Sequence, residues 1–196
     1  MLPSNRIAFK EWAAICAALA EGAQTLILRK GGIHEGRDGF RVAHSEFWLF
    51  PTYLHEAAAG LDRDAAPLLA RAEADRPPTG MLKLAHYAVV SDVAEIRSES
   101  LLSNLAGLHL WSPRTVSARF HYRQPGLFAL TVRVYSRSEP YLISDSPHLA
   151  GCRTWVDLPA NLATERLRPV LDDEEFQRRR EQIRRALASG DATRLT

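Results

Sequence analysis

Hydrophobic and polar positions along the chain follow two repeat lengths, one typical of helices and one of strands. Near the start, apolar side chains recur at helical spacing up to Gly22. They are Ile7, Trp12, Ile15, Cys16 and Leu19. This spacing predicts an amphipathic helix that ends at the glycine. A charged helix is predicted from Asp172 to about Ser189, because acidic residues crowd its start and arginines its second half, as the helix dipole favours.

Several other stretches have the composition or the alternation of β-strands. Residues 24–29, 40–50 and 81–96 are rich in strand-forming side chains, and Pro51 follows the second of them. Residues 115–123 and 127–137 alternate apolar and polar positions with period two, which is typical of half-buried strands. Residues 124–126, Gln-Pro-Gly, form a turn signal between them. We therefore predict a hairpin with a three-residue loop, in which Phe120 lies opposite Leu130.

These elements predict an α+β protein with a mainly antiparallel twisted sheet and with helices at both ends. Short turns between several strands also allow the sheet to close partly into a small barrel. The chain of 196 residues is long enough for one hydrophobic core. We expect a single domain over residues 1–160, with a subdivision at the 76–80 linker as the alternative. Residues 161–196 are predicted to form a C-terminal charged helix and tail.

Composition narrows the class of protein. With 46% hydrophobic residues and 25 Lys+Arg against 23 Asp+Glu, the chain is neither a disordered polymer nor a general binder of polyanions. All but three of the cationic side chains are arginine, which suits phosphate recognition but also follows from codon usage. Two cysteines exclude a disulfide-rich scaffold, and no apolar run reaches the length of a membrane span. We expect a cytoplasmic protein with reduced thiols and no membrane partner.

The first candidate site follows the strand at residues 24–29. It combines two glycines, which allow close approach of a ligand, with cations for an anion and with groups that could exchange protons. Its members are Arg29, Lys30, Gly31, Gly32, Glu35, Arg41, His44 and Glu46. The phosphate-loop arrangement of glycines, lysine and hydroxyl is absent. A polar connection between two strands is the alternative interpretation.

This segment also carries a resemblance to a known family. The shared pieces are residues 26–33, 40–41 and 44–52, with further ones at 10–12, 119–123, 133–135 and 151–156. Together they resemble the uncharacterised bacterial family known as domain of unknown function 1802, over residues 8 to 158. The resemblance implies no established activity. A loose association of that family with restriction-type defence genes implies a nucleic-acid partner.

The second candidate site is the polar face of the predicted hairpin. Cations and an aromatic ring alternate there, a combination that can bind a phosphate backbone and stack a base. Its members are Arg119, His121, Arg123, Arg133, Tyr135 and Arg137. A solvated sheet face normally mixes charges of both signs, yet no acidic residue lies between Arg114 and Arg137. We therefore weigh anion binding equally with an ordinary solvated face.

Three functions stay open at this point. The first is a binding module for nucleic acid, a nucleotide or another phosphate anion. The second is an enzyme acting on a nucleotide or phosphorylated substrate, with Lys30, Arg41, His44 and Glu46 converging and Glu35 as a further catalytic candidate. The third is a structural or partner-binding protein that forms a homo-oligomer through its C-terminal helix. We expect no cofactor and no metal, because the histidines are scattered and the cysteines lie far apart.

Overall fold

The computed structural model describes residues 1–30, 44–53, 58–151, 153–188 and 192–195. Its strands are β1 (Ser4–Trp12), β2 (Leu26–Arg29), β3 (Glu46–Thr52), β4 (Met81–Ile96), β5 (Leu127–Ser144), β6 (Trp155–Ala163), β7 (Arg168–Pro169) and β8 (Ala192–Leu195). Its α-helices are α1 (Ala13–Ala20), α2 (Ala66–Ala74), α3 (Ser100–Asn104), α4 (Pro113–His121) and α5 (Asp173–Ala188). Short 3₁₀ turns lie at Ala58–Gly60, Arg63–Ala65 and Pro147–Leu149.

All described strands belong to one sheet. Its path runs β2-β5-β4-β3-β1-β6, with β7 paired to β5 and β8 paired to β4. The β1–β3 pair is parallel, and every other described pair is antiparallel. The prediction of an α+β protein with a mainly antiparallel sheet and helices near both ends is confirmed.

The sheet is not closed into a barrel, which corrects that part of the prediction. Within the described residues, β2 and β6 at the two ends of the path share no strand pairing. Side chains join these edges instead of backbone hydrogen bonds. The guanidinium of Arg29, at the end of β2, donates from Nη2 to Oγ1 of Thr154, which immediately precedes β6, at 2.8 Å.

The middle of the sheet is covered on both faces, which explains the unbroken apolar run in β3. Phe47 and Leu49 belong to a first core that also contains much of α1, β2 and β5. Trp48 and Phe50 belong to a second core around Tyr87, Leu84 and Leu158. Successive side chains of a strand point to opposite faces, so a strand buried on both sides needs no polar alternation.

The predicted N-terminal helix is only partly correct. Ile7 and Trp12 lie on strand β1, and the helix itself covers only Ala13–Ala20. This helix is buried on nearly all sides, because its small alanines fit between neighbouring elements, and it is therefore not amphipathic. Gly22 does terminate it, with a φ of +68° that favours glycine.

The predicted hairpin between residues 115 and 137 is wrong in its first half. Residues 113–121 form helix α4, whose start is set by Pro113 and by Ser112, whose Oγ accepts from the backbone N of Thr115 at 3.3 Å. The apolar positions that suggested a strand also include Val116 and Phe120, four residues apart, and both are buried on one face of the helix. Phe120 therefore does not pair with Leu130, whose partners on neighbouring strands are Ile27 and Val93.

The C-terminal charged helix is confirmed as α5. Phe176 and Ile183 are its buried side chains, a thin apolar stripe. Arg180 and Arg184 both donate to the carboxylate of Asp92 on β4, with nearest distances of 2.6 Å each. Asn104 on α3 adds a hydrogen bond to the carbonyl of Ala186 at 3.3 Å. The helix is thus bound to its own sheet through these charged contacts as well as through its apolar stripe.

Candidate functional site

The predicted glycine block is divided between described and undescribed residues. Gly31, Gly32, Glu35 and Arg41 lie outside the described residues. The remaining members lie at two places, with Arg29 and Lys30 at the end of β2 and His44 and Glu46 at the start of β3.

Lys30 binds protein backbone. Its Nζ donates to the carbonyl oxygens of Phe120 at 3.1 Å and Gly126 at 2.9 Å, and also to that of Gln124. Burial lowers the pKa of this ammonium. Because the carbonyls that it binds belong to the last turn of α4 and to the loop that follows, Lys30 fixes the end of this helix to that loop.

Glu46 lies on the opposite side of the sheet, with the second core. Its Oε2 accepts from the Tyr87 hydroxyl at 2.9 Å and from the backbone N of Leu2 at 2.7 Å. Burial, and then the hydrogen bond to Glu46, raise the pKa of Tyr87. Lys30 and Glu46 share no described partner, so the structure does not bring this pair together.

The predicted cationic face of a hairpin does not exist, because its members lie on different elements. Helix α4 carries Arg119 and His121, and β5 carries Arg133 and Tyr135. Acidic residues distant in sequence contact two of them: a carboxylate oxygen of Glu99 lies 2.9 Å from His121 Nε2, and Asp173 forms an ion pair with Arg133. Arg123 is in the loop after α4, over the ring of Tyr122.

A different cluster forms where β1 and β2 end. The side chain of Glu11 is fully buried. Its Oε1 accepts from the backbone N of Trp12 at 2.8 Å, whereas Oε2 lies 3.7 Å from a guanidinium nitrogen of Arg29 without a hydrogen bond. The Arg29 guanidinium also lies over the ring of Phe9, at 5.0 Å from its centroid.

Helix α4 adds a second guanidinium to this cluster. Arg119 stacks on Trp111, 3.6 Å from the ring centroid, and lies 5.6 Å from that of Trp12. Its Nη1 donates to the carbonyl of Leu28 at 3.4 Å. Burial lowers the pKa of Arg119, and the nearby charge of Arg29 lowers it further while Glu11 raises it. Within the described residues Arg119 forms no ion pair with a carboxylate.

Several buried polar atoms in this cluster have no hydrogen-bond partner in the described part of the chain. They are Glu11 Oε2, Arg29 Nε, Trp111 Nε1 and Trp155 Nε1. Trp155 belongs to the cluster because its ring packs edge-on against Phe9 at 4.8 Å. Unpaired buried donors and acceptors are costly and rare in native proteins. We name the group formed by Glu11, Arg29, Arg119 and the rings of Phe9, Trp12, Trp111 and Trp155 the Arg29–Arg119 site.

Two further features border this site. His44 packs edge-on against Trp155, with ring centroids 5.2 Å apart. A surface cavity of about 790 Å³ opens beside Ser112 and Pro113 and is lined mostly by apolar side chains such as Leu61 and Leu69. None of the charged residues of the Arg29–Arg119 site lines that cavity.

Sequence reasoning identified Arg29 and Arg119 but missed the other members. In the sequence, Glu11, Trp12 and Trp155 belong to pieces of the family resemblance, and Trp12 also to the predicted N-terminal helix, but none of them is predicted as a site residue. A carboxylate directly before a long apolar segment was the available signal for Glu11. No such signal marks Trp111 in the sequence, because a lone tryptophan before a helix is most often a core residue.

Comparison with known proteins identifies the family. The family model described as domain of unknown function (DUF1802) matches residues 8–182. The chain belongs to this family. The match extends beyond the residues that carried the resemblance and includes most of α5. No curated protein matches the chain.

Among solved structures, similar ones include crystal structures of the ASCH protein of Zymomonas mobilis. The unmutated protein is 14% identical, with 87% of this chain and 90% of that chain covered and a TM-score of 0.43. Two point mutants of it have TM-scores of 0.44 at 14% and 12% identity, covering 90% and 88% of this chain and 96% and 94% of theirs. Among the described helices of this DUF1802 protein, none has the length and apolar character to cross a membrane.

Proposed function

We propose that this DUF1802 protein binds a nucleotide unit, free or within a nucleic acid, at the Arg29–Arg119 site. A phosphate group would lie between the two guanidinium groups, and the base would lie against the tryptophan rings. The charges of the site, its polar atoms without hydrogen-bond partners and its aromatic rings support this proposal.

The excess of positive charge over the one buried carboxylate carries the proposal. Arg29 and Arg119 face a single carboxylate, that of Glu11, and its nearest approach to Arg29 is 3.7 Å. A buried charge without a well-formed partner is destabilising, so such an arrangement is typical of a site that an anion completes. Guanidinium is also the cation that best matches the planar, paired oxygens of a phosphate.

The buried polar atoms without hydrogen-bond partners favour a nucleotide over a simple anion as the ligand. Arg29 Nε and the two indole N–H groups are donors for phosphate or sugar oxygens, while Glu11 Oε2 is an acceptor for an amino or imino group of a base. The ring of Trp12, which is half-buried and packs edge-on against the buried Trp111 with centroids 4.6 Å apart, offers stacking surface beside them. Inorganic phosphate alone would leave the acceptor and the rings unused.

Calorimetry with the four ribonucleoside monophosphates and with inorganic phosphate tests the proposal, together with fluorescence anisotropy on labelled single-stranded RNA and DNA. We expect binding that weakens as salt rises. Arg119→Lys keeps the charge but loses the planar stacked fork, so affinity should fall on the order of tenfold.

Arg137→Lys is the matched control, because Arg137 also stacks on a ring, Tyr141 at 4.2 Å, and donates to a backbone carbonyl outside the site. It should bind like the wild type. If no nucleotide and no oligonucleotide binds at about 50 mM salt, or if Arg119→Lys binds as tightly as Arg137→Lys, the proposal is wrong.

A further inference from the structure

The loop after α4 exposes an aromatic ring and a cation side by side. Tyr122 is 52% exposed, and the Arg123 guanidinium lies 5.3 Å from the centroid of its ring. No carboxylate pairs with Arg123 among the described residues. An exposed ring beside an unneutralised guanidinium offers a base-stacking surface and a phosphate contact together.

The backbone of this loop is fixed in a conformation that a non-glycine residue rarely adopts. Arg123 has a φ of +63°. Two backbone hydrogen bonds maintain the loop, from Gln124 N to the Tyr122 carbonyl at 2.9 Å and from Gly126 N to the Phe120 carbonyl at 3.1 Å. Lys30 binds three carbonyls of the same segment. A left-handed residue persists only when its surroundings enforce it, and such residues concentrate at functional sites.

The loop is also joined directly to the Arg29–Arg119 site. Lys30 follows Arg29 in the chain, and the backbone N of Tyr122 donates to the carbonyl of Arg119 at 3.3 Å. The loop is therefore joined by short backbone links to the chain segments that carry Arg29 and Arg119.

We infer that Tyr122 and Arg123 form a second contact for single-stranded nucleic acid, next to the nucleotide unit bound at the Arg29–Arg119 site. This inference rests on the proposed function and specifies its ligand as a polymer. A neighbouring base stacks on Tyr122, and its phosphate pairs with Arg123. A double helix conceals the faces of its bases, so the surface selects a single strand.

Two substitutions remove these contacts without threatening the fold. Tyr122→Ala deletes the exposed ring. Arg123→Gly deletes the guanidinium and suits the positive φ better than arginine does, so the loop should keep its shape. Arg166→Gly is the matched control, because Arg166 is exposed and has the same φ of +63° in the turn between β6 and β7.

The test measures anisotropy of labelled single-stranded RNA and DNA of about 12 nucleotides, within the usual site sizes, and calorimetry with nucleoside monophosphates. We expect Tyr122→Ala to weaken oligonucleotide binding on the order of tenfold and Arg123→Gly to lower the slope of log affinity against log salt by about one. Monophosphate binding should stay unchanged in both variants, and Arg166→Gly should match the wild type. A duplex of the same sequence should bind more weakly.

The outcomes separate this inference from the function on which it rests. If Arg119→Lys loses binding while Tyr122→Ala and Arg123→Gly bind oligonucleotide like Arg166→Gly, the second contact is wrong and the nucleotide site stands. Equal affinity for duplex and single strand also overturns the second contact. If oligonucleotide binds but Arg119→Lys has no effect, both proposals are wrong.

Discussion

Two clusters in the described part of the molecule each join two arginines to one acidic residue, and their environments are opposite. On α5, Arg180 and Arg184 donate four hydrogen bonds to Asp92, at 2.6 to 3.2 Å. In the Arg29–Arg119 site, Glu11 and Arg29 approach only to 3.7 Å and form no hydrogen bond. The residue types are nearly the same, so composition alone does not distinguish the structural cluster of Asp92, Arg180 and Arg184, the clamp on α5, from the proposed binding site.

The pKa shifts make the same distinction. Burial of Asp92 opposes its ionisation, but the hydrogen bonds and charges of Arg180 and Arg184 outweigh burial and lower the pKa of the carboxyl. Hydrogen bonding to Asp92 in turn raises the pKa of Arg184. Burial instead lowers the pKa of Arg119. The clamp on α5 stabilises its charges, whereas burial in the Arg29–Arg119 site disfavours the charge of Arg119.

The largest effect should come from removing the shared carboxylate of the clamp. Asp92→Asn leaves Arg180 and Arg184 without their anion, and we expect the free energy of unfolding to fall by about 1–3 kcal/mol. Urea denaturation followed by circular dichroism measures it. Asp157→Asn is the control, because Asp157 forms an exposed 3.4 Å ion pair with Arg6, whose loss should cost less than about 1 kcal/mol.

Low pH should remove the same contribution of Asp92 to the free energy of unfolding from the wild-type protein. The folded pKa of Asp92 lies below its ordinary value of 3.8, so its contribution is present above that pH and disappears as pH falls through the folded pKa. The difference in unfolding free energy between wild type and Asp92→Asn should therefore be constant near neutrality and shrink below about pH 4. A difference that persists undiminished in stronger acid would show that lost packing, not charge, causes it.

Removing one arginine from each cluster should change the free energy of unfolding by a smaller amount, and should lower it only in the cluster on α5. Methionine keeps much of the stem of an arginine and removes its charge. Arg184→Met should lower the free energy of unfolding by about 1 kcal/mol, because it removes one of the donors to Asp92. Arg119→Met should leave it unchanged or raise it by up to about 2 kcal/mol, because a buried cation without a hydrogen-bonded carboxylate is removed. Equal losses in both variants would contradict the proposed difference between the clusters.

The fold was predictable where one pattern dominated over a long segment. The strand expected over residues 81–96 coincides with β4, and α5 differs by a residue at each end from the helix expected over 172–189. Residues 115–123 failed because Val116 and Phe120 satisfy both an alternating and a helical pattern. Ser112 and Pro113, which together start a helix, carried the deciding signal.

The candidate site was harder to predict, because its members lie far apart in the sequence. Glu11, Arg29, Arg119 and Trp155 come from β1, β2, α4 and β6, and only the packing of the sheet brings them together. The prediction that grouped Arg119 with Arg133 assumed a hairpin, and the change from strand to helix separated them. Arg29 and Arg119 are the two residues that the sequence-based candidates share with the proposed site, and their role in binding stays a prediction.

The smallest effect concerns His109, which lies next to the site and is buried with its Nδ1 unpartnered in the described part of the chain. Burial lowers its pKa below the ordinary 6.5, and the charge of Arg119 lowers it further. The folded protein therefore keeps His109 neutral while the unfolded chain takes up a proton, so stability is complete above pH 6.5 and falls as the pH drops toward the folded pKa. We expect a loss below about 1 kcal/mol between pH 7.5 and 5.5, smaller in His109→Gln, where His86 with its pKa also lowered by burial still contributes, and reduced in Arg119→Met. Urea titrations at each pH measure it, and an unchanged pH dependence in Arg119→Met would show that Arg119 exerts no charge effect on its neighbours.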